Sequence, residues 1–367
     1  MCAVGEVFAG RYELIDPLGE GGVGVVWRAW DRRTESHVAA KVLRQVDATS
    51  LLRFVREQSF RVDHAHVVMP LGWAGEDDRV LFTMPLVGGG SVATLIGDYG
   101  PLPPTWVALL LDQLLDALAA IHDAGLVHRD VKPANLLLES TGTGRPHLRL
   151  SDFGIAAVVD HPRLTHTDVV LGTPGYLAPE ALLGADPDPR QDLYSVGMTG
   201  VEMLTGMRPP KDAGRGDVMA SLDPDSPLTG VIAVLTAADP AGRPASAPSA
   251  RALLARTGLV PPPGVVPSAG EHEIEIFDQL GPLPADSPEP AASPESAGSP
   301  ESAAPAEADA PAEVTEPAEA TVPSMVSEPE TTTPQPRRTR SRRPLIVSIV
   351  ATAAGCALLV AAVLRLL

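Results

Sequence analysis

The sequence predicts a domain of the α+β class, followed by a disordered linker and one membrane-spanning helix. Apolar strand-like runs at residues 12–15, 23–27 and 38–43 come first, and a long helix-like run at residues 109–121 comes later. Apolar runs separated by Gly and Pro continue over residues 11–258, as expected of a globular domain. With 367 residues, of which 44% are hydrophobic, the chain is long enough to build a sizeable core.

The composition changes after residue 258. Residues 259–336 are rich in Pro, Ala, Glu and Ser and contain no Lys or Arg, so the formal net charge of −18 arises largely there. Such a segment has too little apolar surface to offset the entropy lost on folding, which predicts a disordered linker. A short apolar patch at residues 274–280 is the candidate for docking back on the domain. Because nucleic-acid binding needs clustered cations, we expect no nucleic acid partner.

The end of the sequence predicts a membrane anchor. Residues 345–364 carry no charge, and as a helix they can cross a hydrocarbon core of about 30 Å. The alternative, a buried helix, lacks a neighbouring folded segment to cover it. Five arginines lie within the basic juxtamembrane segment at residues 337–343, which places the N-terminal domain in the cytoplasm and residues 365–367 outside. We therefore expect a single-pass protein of the cell membrane, with the lipid bilayer as a partner.

One polar stretch, His128-Arg129-Asp130-Val131-Lys132-Pro133-Ala134-Asn135, lies between the helix-like run and a strand-like run at residues 136–138. It combines a carboxylate, an ammonium and an amide at fixed offsets. Transfer of a phosphoryl group to a hydroxyl needs such groups: a base for the acceptor, a cation near the phosphate and an oxygen ligand for a metal. The alternative is a hydrogen-bonded corner of the core, which the rest of the sequence must exclude.

A glycine-rich segment near the N-terminus is the first candidate for phosphate binding. Gly19, Gly21 and Gly24 allow a strand-turn-strand to approach phosphate oxygens, because glycine has no Cβ in the way. A simple hairpin turn and a dinucleotide-binding turn share this spacing. The second alternative requires a helix next, whereas the β-branched run at residues 23–27 predicts a second strand.

Lys41 is the only cation in the strand-like run at residues 38–43. A lone lysine in a strand is commonly at a solvated edge, but this one follows a phosphate loop, which favours phosphate binding. Glu57, in a helix-like segment at residues 52–58, is the candidate carboxylate that holds the lysine in place. The alternative for Glu57 is an ordinary charge on the surface of a helix.

Taken together, these motifs resemble those of the protein kinases, in particular membrane-anchored bacterial serine/threonine kinases of eukaryotic type from actinobacteria. The resemblance covers residues 12–256. It implies a two-lobed fold, with a small sheet lobe at about residues 11–86, a helical lobe at about residues 87–258, and nucleotide between them. The motifs that carry it, beyond the glycine-rich segment, are Val38-Ala39-Ala40-Lys41, the His128 stretch, Asp152-Phe153-Gly154, Ala178-Pro179-Glu180, Asp192-Leu193-Tyr194-Ser195 and Arg243.

The resemblance also implies roles for individual residues. Asp130, Lys132 and Lys41 would be catalytic, and Asn135 and Asp152 would bind Mg²⁺, with Mn²⁺ as the alternative. ATP would be bound by Leu18, Gly19, Glu20, Gly21, Gly22, Val23, Gly24, Val25, Val26, Ala39, Lys41 and Glu57.

Other residues would have structural or regulatory roles. Glu180 and Arg243 would form a buried ion pair, and Asp192 would fix the backbone of the His128 stretch. Thr165 and Thr167 are the candidate sites of autophosphorylation in trans, for which a dimer of kinase domains is the candidate assembly.

The sequence thus predicts an ATP-dependent kinase that phosphorylates Ser and Thr hydroxyls of proteins. The first alternative is a membrane-tethered pseudokinase scaffold. It is disfavoured because Lys41, Asp130, Asn135 and Asp152 are all present. The second alternative is a small-molecule phosphotransferase of similar fold, which the long segment ending at Glu180 disfavours.

Overall fold

The structure is a computed structural model, and the residues it describes all belong to one compact unit, Met1–Ala297. An N-terminal lobe contains a six-stranded sheet and a C-terminal lobe is helical, which confirms the predicted two-lobed α+β architecture. The predicted basic segment and membrane helix lie outside the described residues. Described are residues 4–21, 24–44, 62–76, 79–152, 173–210, 215–270, 273–284 and 287–288.

The sheet of the N-terminal lobe is antiparallel, with strand order β1-β2-β3-β4-β6-β5. Its strands are β1 (Val7–Phe8), β2 (Tyr12–Gly21), β3 (Gly24–Asp31), β4 (Ser36–Arg44), β5 (Gly72–Glu76) and β6 (Arg79–Met84). Phe8, Tyr12 and Leu14 are fully buried and form the core on one face together with Leu81. The glycine-rich segment is therefore a strand-turn-strand, and the alternative of a dinucleotide-binding turn followed by a helix is wrong.

Gly24 illustrates why this hairpin needs glycine. It pairs with Leu43 at the start of β3, and a Cβ on Gly24 would collide with the carbonyl oxygen of Val42. A side chain at residue 24 would therefore strain the pairing of strands β3 and β4 in this register.

The C-terminal lobe is built around one long helix, α2, which follows the shorter α1. Trp106, Leu110, Leu114 and Leu118 of α2 are all fully buried. The lobe also contains short 3₁₀ helices at Pro133–Asn135 and Pro240–Gly242. The labelled elements are α1 (Val92–Tyr99), α2 (Pro104–Asp123), β7 (Leu136–Leu138), β8 (Leu148–Leu150), α3 (Pro179–Leu182), α4 (Pro189–Thr205), α5 (Arg215–Ala220), α6 (Pro227–Leu235) and α7 (Ala247–Ala255).

Helix α2 confirms the predicted helix-like run and begins earlier than that run. Pro104 occupies its first turn, where the missing N–H costs nothing. Within the described part of the chain, α2 is the one helix long and apolar enough to cross a membrane. Most of this apolar stretch of α2 is buried inside the lobe, as is typical of a core helix.

The predicted start of the disordered linker at residue 259 is wrong, because residues 259–270 and 273–284 pack on the domain. Arg145 donates to the carbonyl oxygen of Pro262 at 2.9 Å, and the indole nitrogen of Trp106 donates to the carbonyl oxygen of Pro267 at 3.2 Å. Ile276 is only 2% exposed. Backbone acceptors and a few apolar anchors thus order a segment whose composition alone suggests disorder.

Candidate active site

The loop that carries Asp130 is held by a buried carboxylate on α4. The backbone N–H groups of His128 and Arg129 each donate to Asp192 at 2.8 Å, and His122 contacts the same carboxylate at 2.8 Å. Asp192 has no exposed surface. The predicted role of Asp192 in fixing this backbone is therefore confirmed.

His128 contributes to the same loop as a neutral side chain. Its Nδ1 accepts from the backbone N–H of Asp130 at 3.3 Å, so its Nε2 carries the proton and donates to the carbonyl oxygen of Ser151 at 3.0 Å. Burial lowers the pKa of His128 below its ordinary value, because a charged imidazole would lose its hydration. The imidazole thus links the backbone at Asp130 to the backbone that precedes Asp152.

Asp130 is the centre of a polar network that closes on a hydroxyl group. Its Oδ2 accepts from Lys132 Nζ at 2.7 Å and from Asn135 Nδ2 at 3.0 Å. Its Oδ1 accepts from the hydroxyl of Thr173 at 3.0 Å, and that hydroxyl accepts in turn from Lys132 Nζ at 2.7 Å. The carboxylate and the ammonium therefore hold one hydroxyl between them.

Lys41 and Asp152 form an ion pair between the lobes, with Nζ 2.8 Å from Oδ1. Both side chains are mostly buried, at 13% and 28% exposure. Ser151 donates from its backbone and its hydroxyl to the carbonyl oxygen of Asn135, at 2.9 and 3.0 Å, which ties the two predicted metal ligands together. Asn135 uses its amide nitrogen on Asp130, so its amide oxygen is left as an acceptor.

An apolar cluster lines the space between the lobes near this ion pair. Leu18, Val26 and Ala39, all predicted to bind nucleotide, belong to it. Met84, Leu86 and Val87 of the connection between the lobes, together with Val68 and Leu137, complete the cluster and were not among the residues predicted to bind ATP. For Met84, Leu86 and Val87 the signal was their position at the end of strand β6, and for Leu137 it was the apolar run after Asn135. Val68 has no such signal.

The other predicted nucleotide-binding residues are distributed differently. Val25 packs into the sheet core with Trp27 and Val42, on the opposite face from Val26, because side chains alternate along a strand. Gly19 and Glu20 are exposed on β2. Gly22, Val23, Glu57, Thr165 and Thr167 lie outside the described residues, whereas Gly21 and Gly24 pair at the end of the hairpin.

Residues 12–247 of the chain match the protein kinase domain family. The chain belongs to the protein kinase family. The carboxylate of the catalytic loop, the lysine between the lobes and the glycine-rich hairpin are therefore parts of a protein kinase fold.

Curated relatives agree with this assignment. The chain is 41% identical over 220 residues to serine/threonine-protein kinase PkaA of Streptomyces coelicolor, which covers 56% of this chain and 40% of PkaA. It is 36% identical over 255 residues to serine/threonine-protein kinase PknL of Mycobacterium tuberculosis, which covers 65% of this chain and 63% of PknL. The chain thus spans less than two thirds of the length of these two relatives.

A solved structure extends the comparison to the fold. The chain resembles a crystal structure of a point mutant of the Mycobacterium tuberculosis PknI kinase domain, with a TM-score of 0.56 and 28% identity. The match covers 70% of this chain and 99% of the PknI chain.

In this kinase domain, the end of the segment that follows Asp152 is anchored by a buried ion pair. Arg243 donates to both carboxylate oxygens of Glu180, at 2.6 and 2.8 Å, and its side chain has no exposed surface. Arg243 also donates to the carbonyl oxygens of Arg190 and Ala237. The predicted Glu180–Arg243 pair is confirmed.

A second anchor of the same segment was missed by the sequence analysis. The Tyr176 hydroxyl hydrogen-bonds Glu202 of α4, and the Ser195 hydroxyl donates to the carbonyl oxygen of Tyr176 at 2.8 Å. Burial, reinforced by the neighbouring Glu202 carboxylate, raises the pKa of Tyr176 far above its usual range. The phenol therefore stays protonated and fixes the backbone just after Thr173.

Proposed function

We propose that this chain is an ATP-dependent protein serine/threonine kinase, which transfers the γ-phosphoryl group of ATP to Ser or Thr hydroxyls of proteins. One observation carries the proposal. Asp130 and Lys132 together hold the hydroxyl of Thr173, which is the chemical group that a serine or threonine substrate presents. The relatives PkaA and PknL, both serine/threonine-protein kinases by name, support the same substrate class.

The chain's own groups account for the chemistry as follows. Asp130 orients the acceptor hydroxyl and takes its proton as the hydroxyl oxygen bonds to the γ-phosphorus and the bond from that phosphorus to the departing ADP oxygen breaks. Lys132, 2.7 Å from Asp130, places a positive charge beside the same hydroxyl, where charge develops on the transferred phosphoryl group. Asn135 donates to Asp130 and prevents the carboxylate from rotating away.

The residues present fit a divalent ion and a nucleotide. Asp152 supplies a carboxylate oxygen and Asn135 an amide oxygen, which are the ligand types that Mg²⁺ prefers, and we propose Mg²⁺ with Mn²⁺ as the alternative. An ion held by these two residues would neutralise the charge of the nucleotide phosphates. Lys41 pairs with Asp152 across the cleft, and the apolar cluster of Leu18, Ala39 and Leu137 offers a surface for a flat base.

The test is phosphotransfer by the purified full chain with labelled ATP, Mg²⁺ and a model protein substrate. Label on protein Ser or Thr, lost in Asp130→Asn and in Lys41→Met, is the expected result. Absence of label in the wild type would favour the pseudokinase scaffold. Transfer only to small acceptors would favour the small-molecule phosphotransferase. Label that persists in both variants would point to a contaminating kinase.

We propose further that the kinase domain is tethered to the cell membrane and faces the cytoplasm. This proposal rests on the sequence, in which residues 345–364 are uncharged and follow the arginines of residues 337–343. Fractionation of cells that express the full chain, or the same chain with two lysines inserted into residues 345–364, tests it. Recovery of the wild type in the soluble fraction would reject the tether.

Activation by autophosphorylation at Thr165 and Thr167 is a further part of the proposal. A phosphate there would pair with cations near the catalytic loop and order the segment that ends at Glu180. Phosphopeptide mapping after incubation with Mg²⁺ and ATP is expected to show modification at one or both threonines. An active sample with both threonines unmodified would contradict this part, and mixing active and Asp130→Asn chains shows whether transfer occurs in trans.

A further inference from the structure

Residues 273–284, here called the strap, run back over the kinase domain after helix α7. The strap is first attached to the C-terminal lobe. Ile276 exchanges two backbone hydrogen bonds with Gly142, at 2.8 and 2.9 Å, and its side chain enters the core cluster of that lobe. The phenol oxygen of Tyr99 bonds both backbone groups of Glu275, at 3.1 and 3.2 Å. The strap therefore begins as an added extended segment on the helical lobe.

The strap next crosses the connection between the lobes. The backbone N–H of Gln279 donates to the carbonyl oxygen of Gly88 at 2.8 Å. A Cβ at Gly88 would lie 2.9 Å from the Asp278 carboxylate, and a Cβ at Gly89 would lie 2.6 Å from a methyl group of Ile276.

Gly90 shows the same relation to the strap, since a Cβ there would collide with the side chain of Gln279. The strap thus lies in direct contact with three consecutive glycines of the connection between the lobes.

The far end of the strap reaches the N-terminal lobe. Arg28 of β3 donates to the carbonyl oxygens of Gly281 and Pro282, at 3.2 and 3.3 Å. The same guanidinium makes a two-point contact with Asp16 of β2, at 2.7 and 2.8 Å, and is only 4% exposed. Arg28 therefore ties the strap to both strands of the glycine-rich hairpin. Arg28 lies two residues after Val26, which belongs to the apolar cluster between the lobes.

We propose that the strap is a brace that sets the angle between the lobes and so determines the affinity of the nucleotide site. The inference rests on the proposed function only for the identity of the nucleotide. Three consecutive glycines make the covalent connection between the lobes conformationally permissive. The strap adds a second connection, from Gly142 through Gly88 to Arg28, which restrains the hairpin above the cleft.

The expected change in nucleotide affinity follows from the fraction of molecules that are in the binding-competent arrangement. The apolar walls of the cleft come from both lobes, namely Leu18 and Val26 above and Leu137 below. If release of the strap leaves about one molecule in ten in the binding-competent arrangement, the apparent dissociation constant for Mg²⁺–ATP rises about tenfold. The groups that transfer the phosphoryl group are not contacted by the strap residues named above, so kcat at saturating ATP should stay within about twofold.

The experiment uses a pair of adjacent substitutions in the full chain. Ile276→Asp buries a charge where the side chain is 2% exposed, which expels the strap. Phe277→Asp makes the same kind of change where the side chain is 48% exposed, and serves as the matched control. The readout is the dissociation constant of a non-hydrolysable ATP analogue with Mg²⁺, and hydrogen exchange at the amides of Ile276 and Gln279 reports whether the strap is docked.

We expect Ile276→Asp to lose amide protection in the strap and to bind the analogue about tenfold more weakly, while Phe277→Asp matches the wild type. Lost protection with unchanged affinity would overturn the proposal. So would a parallel loss of affinity, kcat and thermal stability, because the strap would then be a general part of the fold. Since binding is measured without turnover, an inactive wild type would reject the proposed function and leave this test valid.

A milder variant tests the N-terminal end of the brace. Arg28→Lys retains a positive charge beside Asp16 but loses the planar fork that reaches Gly281 and Pro282. We expect a rise in the dissociation constant of about threefold, with protection of the Gln279 amide retained. An unchanged dissociation constant in Arg28→Lys would contradict a role for this contact in nucleotide affinity.

Discussion

Replacement of Asp192 by asparagine tests whether a residue remote in sequence builds the catalytic loop. Asp192 accepts hydrogen bonds from the backbone of His128 and Arg129 and from His122, all at 2.8 Å, and is completely buried. Asparagine keeps the size of the side chain. It also keeps one oxygen as an acceptor. Its NH₂ group replaces the second oxygen and faces a hydrogen-bond donor, with which it cannot pair.

The magnitude follows from these contacts. A hydrogen bond to a charged group contributes about 1.5–3 kcal/mol, and a neutral one about 1 kcal/mol. In Asp192→Asn one charged hydrogen bond becomes a contact between two donors and the others become neutral. The lower cost of burying an uncharged group offsets part of this loss. We expect the free energy of unfolding to fall by about 2–4 kcal/mol.

Activity should fall as well, because the same backbone positions Asp130. A displacement of about 1 Å in a catalytic group can reduce the rate about 100-fold, so kcat is expected to fall between tenfold and 100-fold. The assays are urea denaturation and phosphotransfer at saturating ATP. Asp188→Asn is the control, because Asp188 begins the same helix, its side chain is 38% exposed, and asparagine also caps helices well. If Asp192→Asn lay within about 0.5 kcal/mol of this control with full kcat, the reasoning would be refuted.

Three further predictions concern the kinase fold. Glu180→Gln should lower the free energy of unfolding by about 3 kcal/mol, because it leaves the buried guanidinium of Arg243 without its carboxylate, as denaturation should show. Burial lowers the pKa of His128, so this residue binds a proton more readily in the unfolded chain than in the folded one. As the pH falls below about 6.5, the free energy of unfolding should therefore decrease by about 1.4 kcal/mol per pH unit through His128. Gly24→Ala should destabilise the N-terminal lobe by about 1–3 kcal/mol, since its Cβ meets the carbonyl oxygen of Val42, and thermal unfolding measures this.

Each of these predictions has its own control. For the ion pair, a double-mutant cycle of Glu180→Gln with Arg243→Met should show coupling, and strict additivity would contradict the pairing. For the imidazole, His128→Gln should have a shallower dependence of stability on pH, and equal slopes would contradict its burial as a neutral group. For the hairpin, Gly97→Ala in helix α1 has no atom within 4 Å of the new Cβ and should be neutral or stabilising.

The sequence predicted the parts of the site that are encoded locally. The apolar strand-like run around Lys41 and the apolar run before His128 predicted the correct elements, because apolar runs of these lengths indicate a buried strand and a buried helix. Motif order also predicted two pairings that span long sequence distances, Asp192 with the catalytic loop and Glu180 with Arg243. These pairings came from resemblance to a family, since no local pattern indicates which residues meet.

What the sequence could not show depends on packing between distant segments. Met84 and Leu137 come from different parts of the chain and form one apolar wall, and their places in the sequence do not show that the two residues meet. Residues 259–270 were predicted to belong to the disordered linker, because they are held by their backbone carbonyl oxygens, which accept from Trp106 and Arg145, rather than by their composition. Contributions of this kind are invisible to composition, because every residue has a carbonyl oxygen.

Two residues show why the catalytic motif depends on groups outside it. Arg129 and Asp152 adopt positive φ angles of 68° and 64°, a region that costs a non-glycine residue about 1 kcal/mol or more. Each lies in or beside the active site, and each is restrained from a distance: Arg129 through its N–H bond to Asp192, and Asp152 through its ion pair with Lys41. Since a strained backbone needs contacts that hold it in place, we expect substitution at Asp192 or Lys41 to relax the loop as well as remove a charge. The geometry of the site is therefore a property of both lobes together.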